Sequence, residues 1–258
     1  MNWDEYLYNE NEKPLDRLVQ GYSRTSVFRT IGFIGDSLSS GEFETEDENG
    51  KHYHDIFEYS WGQYIARKNG LKAYNFSRGG MTAKEYFKNF AEQMGYWDKE
   101  KACQAYVIAL GANDKNGNIE IGSIDDIDVN DYRNNKPTFI GYYASIISRY
   151  KEIVPDAKFF FVGFPRSHNT RNEERKMQIL ELLKKLPDVF ENSYYIDLHT
   201  YGPYYGEKFH ENFALLGHLN PSGYILTAEL IDSYIDYIIR HNPQDFKTAG
   251  LINSGIKY

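Results

Sequence analysis

The stretch FRTIGFIGDSLSS, residues 28–40, joins two patterns. Phe28 to Gly35 is a short, largely apolar run closed by glycine, which reads as a buried strand. Gly35-Asp36-Ser37-Leu38-Ser39 then turns polar and puts a serine where the strand gives way to a helix. Open α/β sheets place their sites outside the carboxyl ends of the strands. A polar residue that directly follows a strand is therefore a candidate for function.

Working outward, the same alternation fills the chain. Strands are predicted at 72–76, 104–110 (QAYVIAL), 158–163 (KFFFVG) and 193–198 (SYYIDL). Helical spacing marks 59–68, 82–93, 140–153, 171–186 and 221–240. Thr82 with Glu85 three residues on predicts a capping box, Pro187 predicts a stop, and Pro221 sits in a first turn. Alternating strand and helix implies an α/β fold in three layers: a flavodoxin-like, parallel five-stranded sheet with helices on both faces. The 258 residues suit one domain over 1–258, with an N-terminal arm (1–27) and a C-terminal tail (241–258).

Composition narrows the function. Aromatic residues make up 16% of the chain, and Tyr (23) outnumbers Leu, so mean hydropathy falls to -0.63 without disorder. A net charge of -8 and no Lys/Arg run argue against nucleic acid as a partner. Cys103 stands alone, which excludes an internal disulfide and a cysteine zinc site, and it reads as a buried structural thiol. The start MNWDEYLYNENEK has no apolar region of a signal peptide, and no run reaches membrane-spanning length, so a cytoplasmic location is expected. No metal and no cofactor are expected. His52 and His54 read as solvated, Asp125-Asp126-Ile127-Asp128 lacks the EF-hand glycine and distal Glu, and no Walker loop, GxGxxG, HExxH or GxSxG is present. Oligomeric state stays open.

Four segments follow strands in order: Gly35-Asp36-Ser37-Leu38-Ser39, Asn75-Phe76-Ser77-Arg78-Gly79-Gly80-Met81-Thr82, Gly111-Ala112-Asn113-Asp114 and Gly217-His218-Leu219-Asn220-Pro221-Ser222-Gly223-Tyr224. Together, over about residues 28–240, they resemble the GDSL or SGNH hydrolase family. The resemblance implies an SGNH hydrolase fold and a serine esterase. It makes Ser37 the nucleophile and His218 the base, with the Ser37 and Gly80 backbone N–H groups and the Asn113 side-chain amide as oxyanion donors. Those roles are what acyl transfer needs. The family usually has Asp three residues before the histidine, and here that residue is Leu215. The expectation is a Ser37–His218 dyad whose orienter is open: a backbone carbonyl, Glu211 or Asp197. Asp36 and Asp114 are expected to hold their loops through backbone amides.

Two polar insertions, 42–57 and 115–136, are expected to shape the pocket. Tyr201, Tyr204 and Tyr205, with Tyr53 and Tyr132, are candidates for a sugar-binding platform, and packing at the domain edge is an equal alternative. The expected function is hydrolysis of a small acyl ester, acetyl first, of a carbohydrate or similar polar alcohol. The alternatives are a weak or inactive carbohydrate-binding protein of the same fold and a lipase or thioesterase. A flavodoxin-like nucleotide or flavin module is disfavoured for want of a phosphate-cradling loop.

Overall fold

The computed structural model describes residues 9–256. Strand β1 (Thr30–Gly35) ends in a single helical turn, α1 (Ser37–Ser40). An antiparallel hairpin follows, β2 (Glu42–Asp47) and β3 (Gly50–Asp55), then helix α2 (Trp61–Asn69) and strand β4 (Lys72–Ser77). Helix α3 is built of three pieces, Ala83–Glu85, a π-helical turn Tyr86–Phe90, and Ala91–Gln93. The chain continues through β5 (Ala105–Ala109), α4 (Phe139–Ile153), β6 (Lys158–Val162), α5 (Glu173–Val189) and β7 (Ser193–Ile196). Short helices α6 (Leu198–Tyr201) and α7 (Glu207–Phe213) lead to a two-residue ladder, β8 (Ala214–Leu215) with β9 (His218–Leu219). Helix α8 (Pro221–His241) closes the fold.

The main sheet is parallel, in the order β4-β1-β5-β6-β7. This is the doubly wound 2-1-3-4-5 arrangement, whose switch point lies between β1 and β5. Right-handed crossovers put α2 and α8, which pack on each other, on one face and α3, α4 and α5 on the other. Every residue of β6 is buried, as are all but the last of β5, which fits a sheet covered on both sides.

Much of the aromatic excess is core. Tyr106 lies 4.1 Å from Tyr150 and 5.4 Å from Phe159 between ring centroids. Their hydroxyls are paired: Tyr86 with Tyr150 at 2.7 Å, and Tyr106 accepting from the Cys103 N–H at 2.9 Å. A buried tyrosine needs such a partner, which is why a Tyr-rich core costs little in unsatisfied polar groups. Cys103 is fully buried, and burial pushes its thiol up, as a structural cysteine should behave.

Two local expectations are corrected. Helix α5 runs through Pro187 to Val189, because a proline in the last turn forfeits one N–H and the Phe190 N–H still closes onto the Leu186 carbonyl at 2.9 Å. At Thr82 only half of the capping box forms. Its hydroxyl accepts from the Glu85 N–H at 3.1 Å, but the Glu85 carboxylate turns to Arg78 and Asn89.

The described part of the arm lies along α8, where Glu12 pairs with Arg240 at 2.7 and 2.9 Å and the Val19 N–H donates to Ser233 Oγ. Residues 1–8 of the expected arm and 257–258 of the tail lie outside the described residues. Among the described residues no helix is long and apolar enough to cross a membrane.

Candidate active site

Strand register brings three of the four segments level. Gly35 pairs with Ser77 on β4 and with Ala109 on β5, so the residues that follow emerge together at the switch point. Ser37 opens α1. Asp36 caps that turn by accepting from the Leu38 N–H at 3.2 Å, and burial pushes its carboxyl up to about 6. Gly80 stands exposed with φ +71°, a left-handed conformation that suits glycine.

Asn113 laces the segments together. Its side-chain amide donates to the Met81 carbonyl at 3.0 Å and reaches Asp36 Oδ2 at 3.5 Å. Asp114 is fully buried and accepts from the Ala83 N–H at 3.1 and 3.3 Å, and burial raises its carboxyl to about 7. Both aspartates thus hold loops through backbone amides, as the sequence suggests. Arg175 on α5 props the loop after Asn113 by donating to the Asp114, Lys115 and Ile119 carbonyls.

His218 arrives from the other side. β8 and β9 pair Leu215 with His218 around a tight turn in which Leu216 has φ +54°. The next residues start α8, capped by Asn220, which accepts from the Gly223 N–H at 2.9 Å. The imidazole is only partly buried and lies between two carboxylates of β2. Nδ1 is 3.1 Å from Glu44 Oε2, and Nε2 is 3.0 Å from Glu42 Oε1.

Neither sequence candidate for the orienter meets the ring. Asp197 caps α6 by accepting from the Thr200 N–H at 2.8 Å, and Glu211 is exposed on α7. Glu44 has three partners: Gly217 N–H (2.9 Å) and His218 Nδ1 on one oxygen, Lys51 Nζ (2.5 Å) on the other. The Lys51 ammonium, with His218 and the Gly217 amide, holds the Glu44 carboxyl below the usual range. A Cβ at Gly217 would collide with Glu44 Oε2, so this contact needs glycine there. Glu42 behaves differently. Burial raises its carboxyl, the neighbouring Asp55 and Glu44 raise it further, and only His218 opposes them. Its carboxylate stands against Gly79, where a Cβ would collide with Oε2. Among the described residues Ser37 Oγ makes no hydrogen bond, and His218 Nε2 is taken up by Glu42.

The hairpin was missed because it is polar. The signal was there: Asn49-Gly50 marks a turn, and GEFETED alternates with period two. That period puts Glu42 and Glu44 on one face, where they are 8% and 3% exposed.

Two of the five candidate tyrosines border this region. Tyr53 on β3 meets His218 edge to face at 6.0 Å and is otherwise exposed. Tyr205 stacks on Phe209 at 3.7 Å and helps line a cavity of about 100 Å³ with Leu38, Trp61, Ala112, Phe164 and Ile231. Leu38 and Ala112 adjoin Ser37 and Asn113 in the chain, and Asp36 and Ser39 also line the cavity, which places this apolar space beside Ser37. Tyr201 packs on Tyr234, Tyr204 covers Gly206 and Tyr132 packs on Phe87, so the structure does not bring these three to His218. Two larger hollows, beside the arm and along α5, lie away from the strand ends, and a third, of about 530 Å³, opens between Thr82, Asp114 and Tyr142. Among the described residues no group of three or more His, Cys, Asp or Glu side chains could hold a metal ion, and His52 and His54 lie on β3 against Asp47 and Thr45.

A three-layer α/β fold with Ser, Gly, Asn and His segments at one sheet edge defines the class, that of the SGNH hydrolases. The sequence model described as GDSL-like Lipase/Acylhydrolase matches residues 31–231, and the chain belongs to that family, a family of ester hydrolases. Solved structures share the fold at low identity. A family two carbohydrate esterase from Clostridium thermocellum in complex with cellohexaose has a TM-score of 0.57 and 17% identity, over 91% of this chain and 66% of that one. A Clostridium thermocellum family 3 carbohydrate esterase has a TM-score of 0.52 and 13% identity, over 82% and 97%. A lipase/acylhydrolase from Enterococcus faecalis has a TM-score of 0.50 and 18% identity, over 83% and 96%. A search of curated proteins finds no significant match.

Proposed function

We propose that this protein is a serine esterase that removes a small acyl group, acetyl above all, from a carbohydrate or similar polar alcohol. The observation that carries the reading is the convergence of Ser37, Gly80, Asn113 and His218 at one sheet edge. Ser37 Oγ attacks the ester carbonyl while His218 Nε2 takes its proton. The carbonyl oxygen becomes an oxyanion, met by the Ser37 and Gly80 N–H groups and the Asn113 amide. On collapse the C–O bond to the alcohol breaks, and His218 returns the proton to the leaving oxygen. Water, deprotonated by the same nitrogen, then releases the acid and regenerates Ser37.

In the resting geometry Glu42 occupies Nε2, so turnover requires its carboxylate to swing away. The cavity of about 100 Å³ beside Ser37 suits a short acyl chain. Exposed Tyr53 beside His218 offers a flat face for a sugar. Two of the structural neighbours are carbohydrate esterases, which supports the polar alcohol.

The test is hydrolysis of p-nitrophenyl acetate and of acetylated oligosaccharides by the wild type, Ser37→Ala and His218→Ala. Expected is turnover that each substitution cuts at least ~10³-fold. Turnover that survives Ser37→Ala refutes the reading. The Glu42 contact favours a second reading, a carbohydrate-binding protein that does not turn over. Saturable sugar binding with no Ser37-dependent hydrolysis establishes it.

A further inference from the structure

We infer that Glu44, carried by the hairpin directly after the nucleophile strand, is the acid that positions His218, and that Lys51 tunes it. The inference rests on the esterase reading and deepens it. In the family pattern the acid comes from the histidine's own loop, three residues upstream. Here that residue is Leu215, 41% exposed and apolar. The acid instead comes from a different element, 174 residues away in sequence.

Three contacts fix it. Glu44 Oε2 accepts from His218 Nδ1 and from the Gly217 N–H, so one oxygen ties the ring to the backbone of its own loop. Glu44 Oε1 accepts from Lys51 Nζ on the facing strand. The side chain is 3% exposed and its carboxyl is held low, so it stays an acceptor. An acceptor at Nδ1 requires the ring hydrogen there. That is the tautomer whose Nε2 can take the Ser37 proton once Glu42 has withdrawn and carried away the proton it shares with Nε2. When the imidazolium forms, the fixed charge of Glu44 stabilises it in a site shielded from water. Lys51 keeps Glu44 from taking that proton itself. Glu44 and Lys51 never reach substrate, so they are positioning residues. The charged and titratable neighbours of the ring are Glu42, Glu44 and Asp36, with Lys51 behind Glu44 and the Tyr53 ring edge-on.

The experiment measures kcat, KM and the pH–rate profile of p-nitrophenyl acetate hydrolysis for the full chain and for Glu44→Gln, Glu44→Asp and Lys51→Met. A triad Asp→Asn change costs about 10⁴ in kcat elsewhere. Glu44→Gln is expected to lower kcat about 10³- to 10⁴-fold with KM changed less than ~3-fold, and Glu44→Asp to recover part of the loss. Lys51→Met is expected to cost roughly 2- to 5-fold, because its ion pair with Glu44 is half-exposed on the lysine side and screened by water. The acid limb of the profile moves to lower pH in Glu44→Gln, where the negative neighbour is gone, and to higher pH in Lys51→Met. A merely structural role moves neither limb. A Glu44→Gln variant that keeps a third or more of wild-type kcat overturns the assignment. So does an acid limb unmoved in Lys51→Met, which decides the matter even where Glu44→Gln fails to fold. A wild type without Ser37-dependent turnover removes the esterase reading itself, whereas Ser37-dependent turnover untouched by Glu44→Gln removes only Glu44.

Discussion

The strand-end loops and the β2–β3 hairpin reach the same imidazole by different physics. The loops at the ends of β1, β4 and β5 are fixed by the sheet: Gly35, Ser77 and Ala109 are level by register, and Asp36, Asn113 and Asp114 tie the turns to one another. The hairpin shares no strand with that sheet. It is held by side chains instead, through Glu44 to Gly217 and His218, Tyr224 to the Glu42 carbonyl (2.6 Å) and Phe43 against Tyr59 and Tyr224. The rigid region carries Ser37, Gly80 and Asn113, the residues proposed as nucleophile and oxyanion donors. The appended region sets two carboxylates against His218, the proposed base.

The sharpest way to break this division is to delete a donor from the rigid region. Asn113→Ala removes a proposed oxyanion donor and also the link between Met81 and Asp36. Expected is a loss of about 10²- to 10³-fold in kcat with KM little changed, since the donor acts on charge that develops in the transition state. Steady-state kinetics on p-nitrophenyl acetate checks it. A loss confined to KM places Asn113 in ground-state binding and removes it from the oxyanion hole.

Within the hairpin, Glu42 and Glu44 sit two residues apart on one face and should respond with opposite sign. Glu42 competes with Ser37 for Nε2, so Glu42→Gln weakens a charged competitor while keeping its shape. Replacing a charged hydrogen bond (about 1.5–3 kcal/mol) by a neutral one (about 0.5–1.5 kcal/mol) relieves about 1–1.5 kcal/mol of competition, so kcat/KM is expected to rise ~5- to 10-fold. A fall of more than ~10-fold shows that Glu42 takes part in turnover and that the hairpin's two carboxylates share one task.

How far the sequence reads follows the same division. The fold and the four segments were legible because a parallel sheet converts local patterns, apolar runs closed by glycine and polar residues, into a shared edge. Ser37, Gly80, Asn113 and His218 stand in segments that are weak signals singly and are picked out by the family resemblance only when taken together and in order. Glu44 could not be picked out, because its contact with His218 lies 174 residues away in the chain, and nothing local distinguishes a buried carboxylate from a solvated one. GEFETED read as a polar loop for that reason, although Asn49-Gly50 and the alternation could have given the hairpin. The tyrosines divide in a way that chain position does not show. Tyr201 packs on Tyr234 and Tyr204 covers Gly206, whereas Tyr205, the next residue, lines the cavity and Tyr53 reaches His218 from β3.

A smaller effect tests the rigid side through its cavity. With about 100 Å³ between Leu38, Trp61, Ala112 and Ile231, p-nitrophenyl acetate and butyrate should be preferred over the octanoate. Ile231→Ala lengthens the space, and each added methylene it accepts is worth about 0.8 kcal/mol, or ~4-fold in kcat/KM. An acyl-length profile that ignores Ile231→Ala sends the acyl chain elsewhere.

The smallest effect is on stability, and it separates the two regions by sign. Asp114 is raised to about 7 by burial, so the folded state binds a proton that the unfolded chain has already lost above pH 4. Its contribution is therefore present below pH 4 and is lost as pH rises to about 7. Glu44 is lowered, so its contribution is present above pH 4.5 and lost as pH falls through its folded value. Thermal unfolding of Asp114→Asn and Glu44→Gln against wild type from pH 3 to 8 should show the two differences in separate windows. The Asp114→Asn difference changes between pH 4 and 7, by a few degrees in Tm, and the Glu44→Gln difference changes only below pH 4.5. If both differences change in the acid window, Asp114 is ionised in the folded protein at neutral pH, and the strand-end loops are held by the same kind of paired charge as the hairpin.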